Sequence, residues 1–393
     1  MDDVVIVGAA RTPIGRFNSA YSGLSAIDLG AAAIQAAVQR AGIEPDSVDE
    51  CIMGCVVTAG LGQSPARQAA LRAGLPHTVG GLTVNKVCGS GLKAVMIGTA
   101  LIRAGEAEVL VTGGMEHMSG APYVLPQARH GYRLGHGQII DAVVHDGLWC
   151  AFENHHMGVA AEWIARTFHV SREQQDAYAL QSHQRAIAAQ DCGAFQEEIA
   201  PVAVPVAKGQ VNLVTTDEGP RRDTSMAALA RLKPAFVADG TVTAGNAPGI
   251  TDGAAALVLM RERRAVQLGL QPLARIGVAA QAAVKPLELF TAPAFAIEKL
   301  MKRAGRTLDD YDLFEINEAF AAQMIANLRA LALDTDRVNV HGGAIALGHP
   351  IGASGARVLV TLISALRQRG GKRGIAALCL GGGEAVALEV EVM

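Results

Sequence analysis

Along the first 118 residues, short apolar runs alternate with segments whose apolar side chains recur every three or four positions. Val4–Val7, Val48–Val57, Gly81–Val84 and Glu108–Thr112 read as strands. Ser25–Ala41, Gln63–Ala73 and Leu92–Ala104 read as helices, the first opening on a Ser/Asp cap and ending at Gly42. Arg11–Gly15 reads as a turn. This alternation predicts a largely parallel α/β sheet covered on both faces.

After Met118 the pattern changes. Residues 119–250 hold a loop from Pro122 to Asp141 and two polar amphipathic helices, Gly158–Phe168 and Arg172–Gln190. Ser171 and Gln174 make a capping box before the second. We read this segment as an excursion off the sheet. From Asp252 the strand Ala255–Met260 and the helix Glu262–Leu268 resume the first texture. The last third then repeats the first in order and spacing. Gly89-Ser90-Gly91, a helix, a strand and Gly113-Gly114-Met115-Glu116 match Ala353-Ser354-Gly355, the helix Ala356–Arg367, the strand Gly374–Leu380 and Gly381-Gly382-Gly383-Glu384. Two similar α/β halves facing each other are expected: residues 1–118 with 251–270, and residues 271–393, with 119–250 as an inserted loop domain.

Composition narrows the possibilities. The chain of 393 residues is long enough for two or three domains, and half of it is hydrophobic. No apolar run approaches the ~20 residues of a membrane span. The ends show neither a signal or transit peptide nor a peroxisomal address, so a cytoplasmic location is expected. A net charge of −3 offers no basic excess for nucleic acid. Six scattered cysteines fit reduced thiols, with Cys51 and Cys55 as packing residues, and no His/Cys cluster has metal-ligand spacing.

Four stretches put reactive groups beside glycines. Cys88 lies in Asn85-Lys86-Val87-Cys88-Gly89-Ser90-Gly91, between a strand and a helix. A thiol at a helix N-terminus faces free N–H groups, and that setting can lower its pKa from about 8.5 towards 7 or below. Asn317 follows the strand Leu313–Ile316 in Glu315-Ile316-Asn317-Glu318-Ala319-Phe320. His349 lies in Gly348-His349-Pro350-Ile351-Gly352, and Cys379 in Cys379-Leu380-Gly381-Gly382-Gly383. Singly, each has an ordinary reading: a helix cap for Asn317, a turn histidine, a core cysteine, a solvated charge for Glu318. Together they supply a nucleophile, a base and oxyanion donors.

This combination of four motifs, with Gly8-Ala9-Ala10-Arg11-Thr12-Pro13 at the start, resembles the thiolases over the whole chain, and among them the bacterial acetyl-CoA acetyltransferases. The resemblance implies duplicated βαβαβαββ halves in a five-layered α-β-α-β-α core, with the loop domain covering coenzyme A. It implies no permanently bound cofactor and no metal. Coenzyme A and acyl-CoA enter as substrates, and the protein is a homo-oligomer, a dimer of dimers with Pro122–Asp141 as the tetramer contact or at least a tight dimer. It assigns Cys88 as acyl carrier, His349 as base and oxyanion donor, Cys379 as the acid/base at the α-carbon, Asn317 as the holder of a water, and Gly381 with Cys88 as backbone oxyanion donors.

For the coenzyme, the resemblance points to Arg221 near the adenine nucleotide, Ala247 and Pro248 along the pantetheine, and His156 and Met157 along the channel, with His155 an exposed neighbour. This chain departs from the family at Pro248, where similar thiolases carry serine. It departs again in Val284–Pro293, where Leu289 replaces a methionine and Phe290 a glycine beside the acyl pocket. Alternatives are a degradative 3-oxoacyl-CoA thiolase of broader chain length, a ketoacyl synthase, and a non-catalytic thiolase-fold CoA- or lipid-binding protein. Cys379 argues against the synthase, and the intact set of four against the last.

Overall fold

The computed structural model describes residues 3–206 and 209–393. Ten strands form the main sheet. They are β1 (Val4–Arg11), β2 (Gly15–Arg16), β3 (Glu50–Gly54), β4 (Gly80–Val84), β5 (Val109–His117), β6 (Thr251–Arg261), β7 (Ala274–Ala283), β8 (Leu313–Ile316), β9 (Arg373–Leu380) and β10 (Glu384–Val392). The main helices are α1 (Ala26–Ala41), α2 (Pro65–Arg72), α3 (Ser90–Ala104), α4 (Met157–Thr167), α5 (Arg172–Asp191), α6 (Ala292–Ala304), α7 (Ala321–Leu331) and α8 (Ile351–Arg369). Both sequence caps form as read: Ser25 and Ser171 each close a capping box, with Asp28 and Gln174. α8 starts five residues earlier than the spacing suggested, directly after Pro350.

The strand order is β8-β9-β10-β7-β1-β6-β5-β3-β4, with β2 attached to β6. The first half therefore runs β4-β3-β5-β6-β1. The second runs β8-β9-β10-β7, with Val338 bridged in parallel to Phe314 at the place of β4. The halves join where β1 and β7 pair antiparallel over Val4–Ile6. Helices α1 and α2 cover one half, α6 and α7 the other, and α3 and α8 pack together in the middle. The result is the five-layered duplicated core.

The sheet is mixed, not largely parallel. Only β3–β4, β3–β5 and β8–β9 pair in parallel. β9 and β10 are joined by Gly381–Gly383, with φ near +90° at Gly382 and Gly383, and a link that short makes a hairpin rather than a crossover. The matching Gly113–Glu116 does not turn at all; it continues as β5. Nor is Arg11 in a turn. It ends β1, fully buried, with its guanidinium on Glu198 at 2.6 Å and on Asp217 at 2.7 and 2.9 Å.

Between β5 and β6 the chain makes three separate two-stranded hairpins, α4 and α5. Both helices pack on α7 of the second half, while the hairpin of Val202–Pro205 and Val211–Val214 packs in the core of the first. Tyr123, Leu125, Leu134 and Ile139 stand exposed on its first loop. The stretch Val87–Ala104 is apolar and long enough to match a membrane span, with a mean hydropathy of 1.3. It contains α3, and the central position of that helix between two sheet layers accounts for its composition.

Glycines set how closely the halves meet. A Cβ on Gly54 would lie 2.7 Å from the Gly352 carbonyl oxygen, and one on Gly91 would lie 3.1 Å from it. One on Gly114 would overlap the same oxygen outright. In return, a Cβ on Gly352 would lie 2.8 Å from the Met115 carbonyl oxygen and 2.9 Å from Cys55 Cα. The N-terminus of α8 is thus seated on bare backbone of the first half. Gly114→Ala must push that helix away, so it should destabilise the protein by about 3 kcal/mol. Gly80→Ala meets only the Glu50 side chain at 3.4 Å and should shift stability by about 0.5 kcal/mol or less. Urea unfolding of the two variants tests this.

Candidate active site

Cys88 is presented by a strained turn between β4 and α3. Val87, a β-branched residue, stands at φ +46°. Its N–H donates to Asn85 Oδ1 at 3.0 Å. Ser90 Oγ accepts from the Lys86 N–H at 2.8 Å and donates to the Val87 carbonyl at 2.6 Å. Gly89 follows because a Cβ there would lie 2.5 Å from Leu380. The half-buried Cys88 then receives the N–H groups of Gly381 and of its own backbone on its sulfur.

Those donors favour a thiolate, but they do not win. Burial pushes the Cys88 thiol up to about 11, the nearby Glu116 carboxylate adding to the rise. The lowered value expected for a helix N-terminus is not found, because the sulfur has little water around it and two N–H groups replace only part of that hydration. Cys379, near the end of β9, is also held well above its ordinary value, by burial first and by Cys88 second.

His349 enters from the loop before α8. Its Nδ1 lies 2.6 Å from Ser354 Oγ, which also donates to the Pro350 carbonyl at 2.9 Å. A hydroxyl that donates to Pro350 accepts from Nδ1–H, leaving Nε2 the acceptor nitrogen, towards which the Asn317 amide N–H points. Nε2 lies 3.4 Å from Asn317 Nδ2. Burial holds His349 down at about 3, with Arg357 adding to the fall. The resting pair is therefore a thiol and a neutral imidazole.

Asn317 does not cap the following helix; Phe320 occupies that position. Its Oδ1 is buried without a protein partner. Glu318 is not solvated. Its carboxylate accepts from Tyr178, Ser182, Asn339 and the Ile345 N–H at 2.7–3.0 Å, tying the Asn317 loop to α5 and to the approach to His349.

Cys88, His349, Cys379 and Gly381 share one cavity of about 250 Å³ with His156, Met157, Ala247, Pro248, Leu289 and Phe290. Phe290 is buried, its ring edge-on to Phe320 at 5.3 Å, and Asn327 donates to its carbonyl at 2.7 Å. It borders the cavity and at the same time packs in the apolar cluster beneath it, with Leu289, Ala319 and Phe320. Phe236, stacked on His156 at 4.7 Å, completes the wall. Arg221 lies apart, in an outer cavity of about 320 Å³ with Arg16; the two cavities share Ala247, Gly249 and Ile250. His155 is half-buried, not exposed, and bonds the His156 carbonyl. Ser354, Phe236 and Glu116 carried no functional signal in the sequence, except that Ser354 falls in the first turn after the His349 loop.

A mixed five-layered fold with two facing thiols and a histidine on glycine loops defines a class. The thiolase N-terminal domain matches residues 4–263 and the thiolase C-terminal domain residues 270–392. The chain is 53% identical to an acetyl-CoA acetyltransferase of Pseudomonas aeruginosa, over 99% of both chains. It is 51% identical to one from Cupriavidus necator, over 100% of both. The crystal structure of the Bacillus anthracis acetyl-CoA acetyltransferase superposes with a TM-score of 0.98 at 45% identity, covering 100% of this chain and 99% of that one. This chain belongs to the thiolase family and is an acyltransferase.

The neutral resting pair has a measurable signature. Alkylation of Cys88 by iodoacetamide should climb steadily from about pH 7 to pH 10, as the thiolate fraction grows towards its high pKa. A rate that levels off above neutral pH would instead indicate a preformed thiolate–imidazolium pair.

Proposed function

We propose that this thiolase catalyses the reversible Claisen condensation of two acyl-CoA molecules through an acyl-Cys88 intermediate. The observation that carries this reading is the meeting of two thiols and a neutral histidine in one apolar cavity. His349 Nε2 takes the Cys88 proton as the sulfur attacks the thioester carbonyl. The N–H groups of Cys88 and Gly381 hold the oxyanion, and loss of one such donor is worth about 10²–10³ in rate. The carbon–sulfur bond to coenzyme A breaks, and the leaving thiolate takes its proton from Cys379.

The acyl-enzyme now faces a Cys379 thiolate and an imidazolium. A second acetyl-CoA enters, and Cys379 removes its α-proton; a thiol with so high a proton affinity is a strong base once ionised. The enolate oxygen meets the His349 Nε2–H and a water on Asn317. Its carbon attacks acyl-Cys88, the 3-oxoacyl-CoA leaves, and His349 returns its proton to Cys88. Thiolysis is the same path reversed.

Coenzyme A, a substrate and not a resident cofactor, would run from the inner cavity past Ala247 and Pro248 into the outer one, where Arg221 meets its nucleotide end. His156 and Met157 would line the channel. The exposed apolar side chains of the loop after β5 support a homo-oligomer, a dimer of dimers. The three expected segments, 1–118 with 251–270, 119–250 and 271–393, serve as two catalytic halves and a coenzyme cover. Met1, Asp2, Ala207 and Lys208 fall inside them and lie outside the described residues. A cytoplasmic location, with no nucleic-acid or membrane partner, fits the sequence. Acetyl groups are the primary unit, and the reshaped wall at Leu289 and Phe290 extends the range beyond four carbons.

Wild-type enzyme mixed with acyl-CoA alone should gain one acyl group on the Cys88 peptide, and Cys88→Ala should lose both label and turnover. Cys379→Ala should still acylate Cys88 but not exchange the α-protons of acetyl-CoA in deuterated buffer. A label on Cys379 in an active Cys88→Ala enzyme would reverse the roles. For substrate range, Phe290→Gly should change the order of kcat/KM across 3-oxoacyl-CoA chain lengths, each methylene being worth roughly 1–3 kcal/mol. Identical profiles would remove Phe290 from the specificity wall.

A further inference from the structure

Glu116 is the one acidic side chain next to the nucleophile, and the reaction does not use it. It is 1% exposed, near the end of β5. No lysine or arginine pairs with it among the described residues. Its Oε2 accepts the N–H of Gly352 at 2.8 Å and of Val56 at 3.1 Å. Oε1 accepts the N–H of Val57 at 3.1 Å and lies 3.8 Å from the Cys55 sulfur.

A buried carboxylate without a cation is costly: burial pushes Glu116 up to about 7 against its three backbone N–H donors, and its ionised form disfavours a thiolate at Cys88. Chemistry alone would not put it there. Its hydrogen bonds explain it. Val56 and Val57 pack in the same apolar cluster as Val87, Cys88 and Ile351. Gly352 is the second residue of α8 and stands three residues after His349. The carboxylate therefore grips the Cys88 side of the site with one oxygen and the His349 side with the other, and Oε2 touches both. It also places a negative charge on the N-terminus of a 19-residue helix, which offsets part of its burial.

We propose that Glu116 is a positioning residue for acyl transfer: its carboxylate sets the separation of Cys88 and His349 by bridging the Val56–Val57 backbone to the start of α8, without touching substrate. The proposal rests on the roles given above to Cys88 and His349. It differs from a purely structural role because removing the charge should move two properties of the site in opposite directions.

The test uses the full-length enzyme with Glu116→Gln and Glu116→Ala. Glu116→Gln is near in shape and retains one acceptor oxygen. In thiolysis, kcat should fall about 10²-fold in Glu116→Ala and less in Glu116→Gln, since a misplacement near 1 Å costs about that much. KM for coenzyme A should stay within about twofold, because the outer cavity does not include this segment. At a fixed pH near 8, alkylation of Cys88 by iodoacetamide should be as fast as in wild type or faster, since a neighbouring negative charge has gone. Wild-type kcat in both variants would overturn the proposal, as would a loss of Cys88 alkylation in a folded Glu116→Gln enzyme that parallels the loss of kcat. Absence of acyl label on Cys88 in the wild type would instead overturn the roles on which it rests.

Discussion

Everything in this active site depends on one close approach: the carbonyl of Gly352 resting on the backbones of Gly54, Gly91 and Gly114. Cys88 belongs to the first half and His349 to the second. Neither half holds a complete site. The distance between nucleophile and base is set by how near the start of α8 can come to the start of α3, and a single methyl group at any of the three glycines would widen it. Gly355, whose Cβ would lie 2.9 Å from that of Leu92, continues the contact one turn further along. The duplicated sheets and outer helices serve to hold these two N-termini together.

The same closeness decides the electrostatics. The start of α3 and two N–H groups, of Cys88 and Gly381, meet the Cys88 sulfur, an arrangement that would favour charge at a surface. Inside the protein, removal of water weighs more. The thiols rise, the histidine falls, and the resting site carries no charge on its reacting groups. Charge develops only when a substrate is present to take it up. On the mechanism proposed above, the oriented amides of Cys88 and Gly381 are then already in place, with no solvent to reorganise.

Local order and the repeat were legible in the chain. Ser25 with Asp28 and Ser171 with Gln174 announce their helices, and apolar spacing gave most strands to within about five residues, though not β7 or β10. The four reactive stretches could be picked out because each pairs a functional side chain with glycine. Strand direction could not be read, since a hairpin at Gly381–Gly383 and continuous strand at Gly113–Glu116 share one glycine-rich spelling. The state of Cys88 was misjudged for a related reason: a helix start is visible in sequence, whereas the depth at which it lies is not. Glu318 and Glu116 look like surface charges because their partners, the N–H groups of distant segments, have no sequence signature.

The short run Ala247-Pro248-Gly249-Ile250 lines the inner cavity, and its Ala247, Gly249 and Ile250 line the outer one as well. It works as a partition shared by two rooms. A change in its shape enlarges one chamber at the other's expense, so on the proposed coenzyme path grip on the long carrier and choice of the small group it delivers are not independent traits. A proline at this point makes the partition rigid. Leu289 and Phe290 border the inner chamber alone, so a change there reshapes that chamber without touching the shared partition.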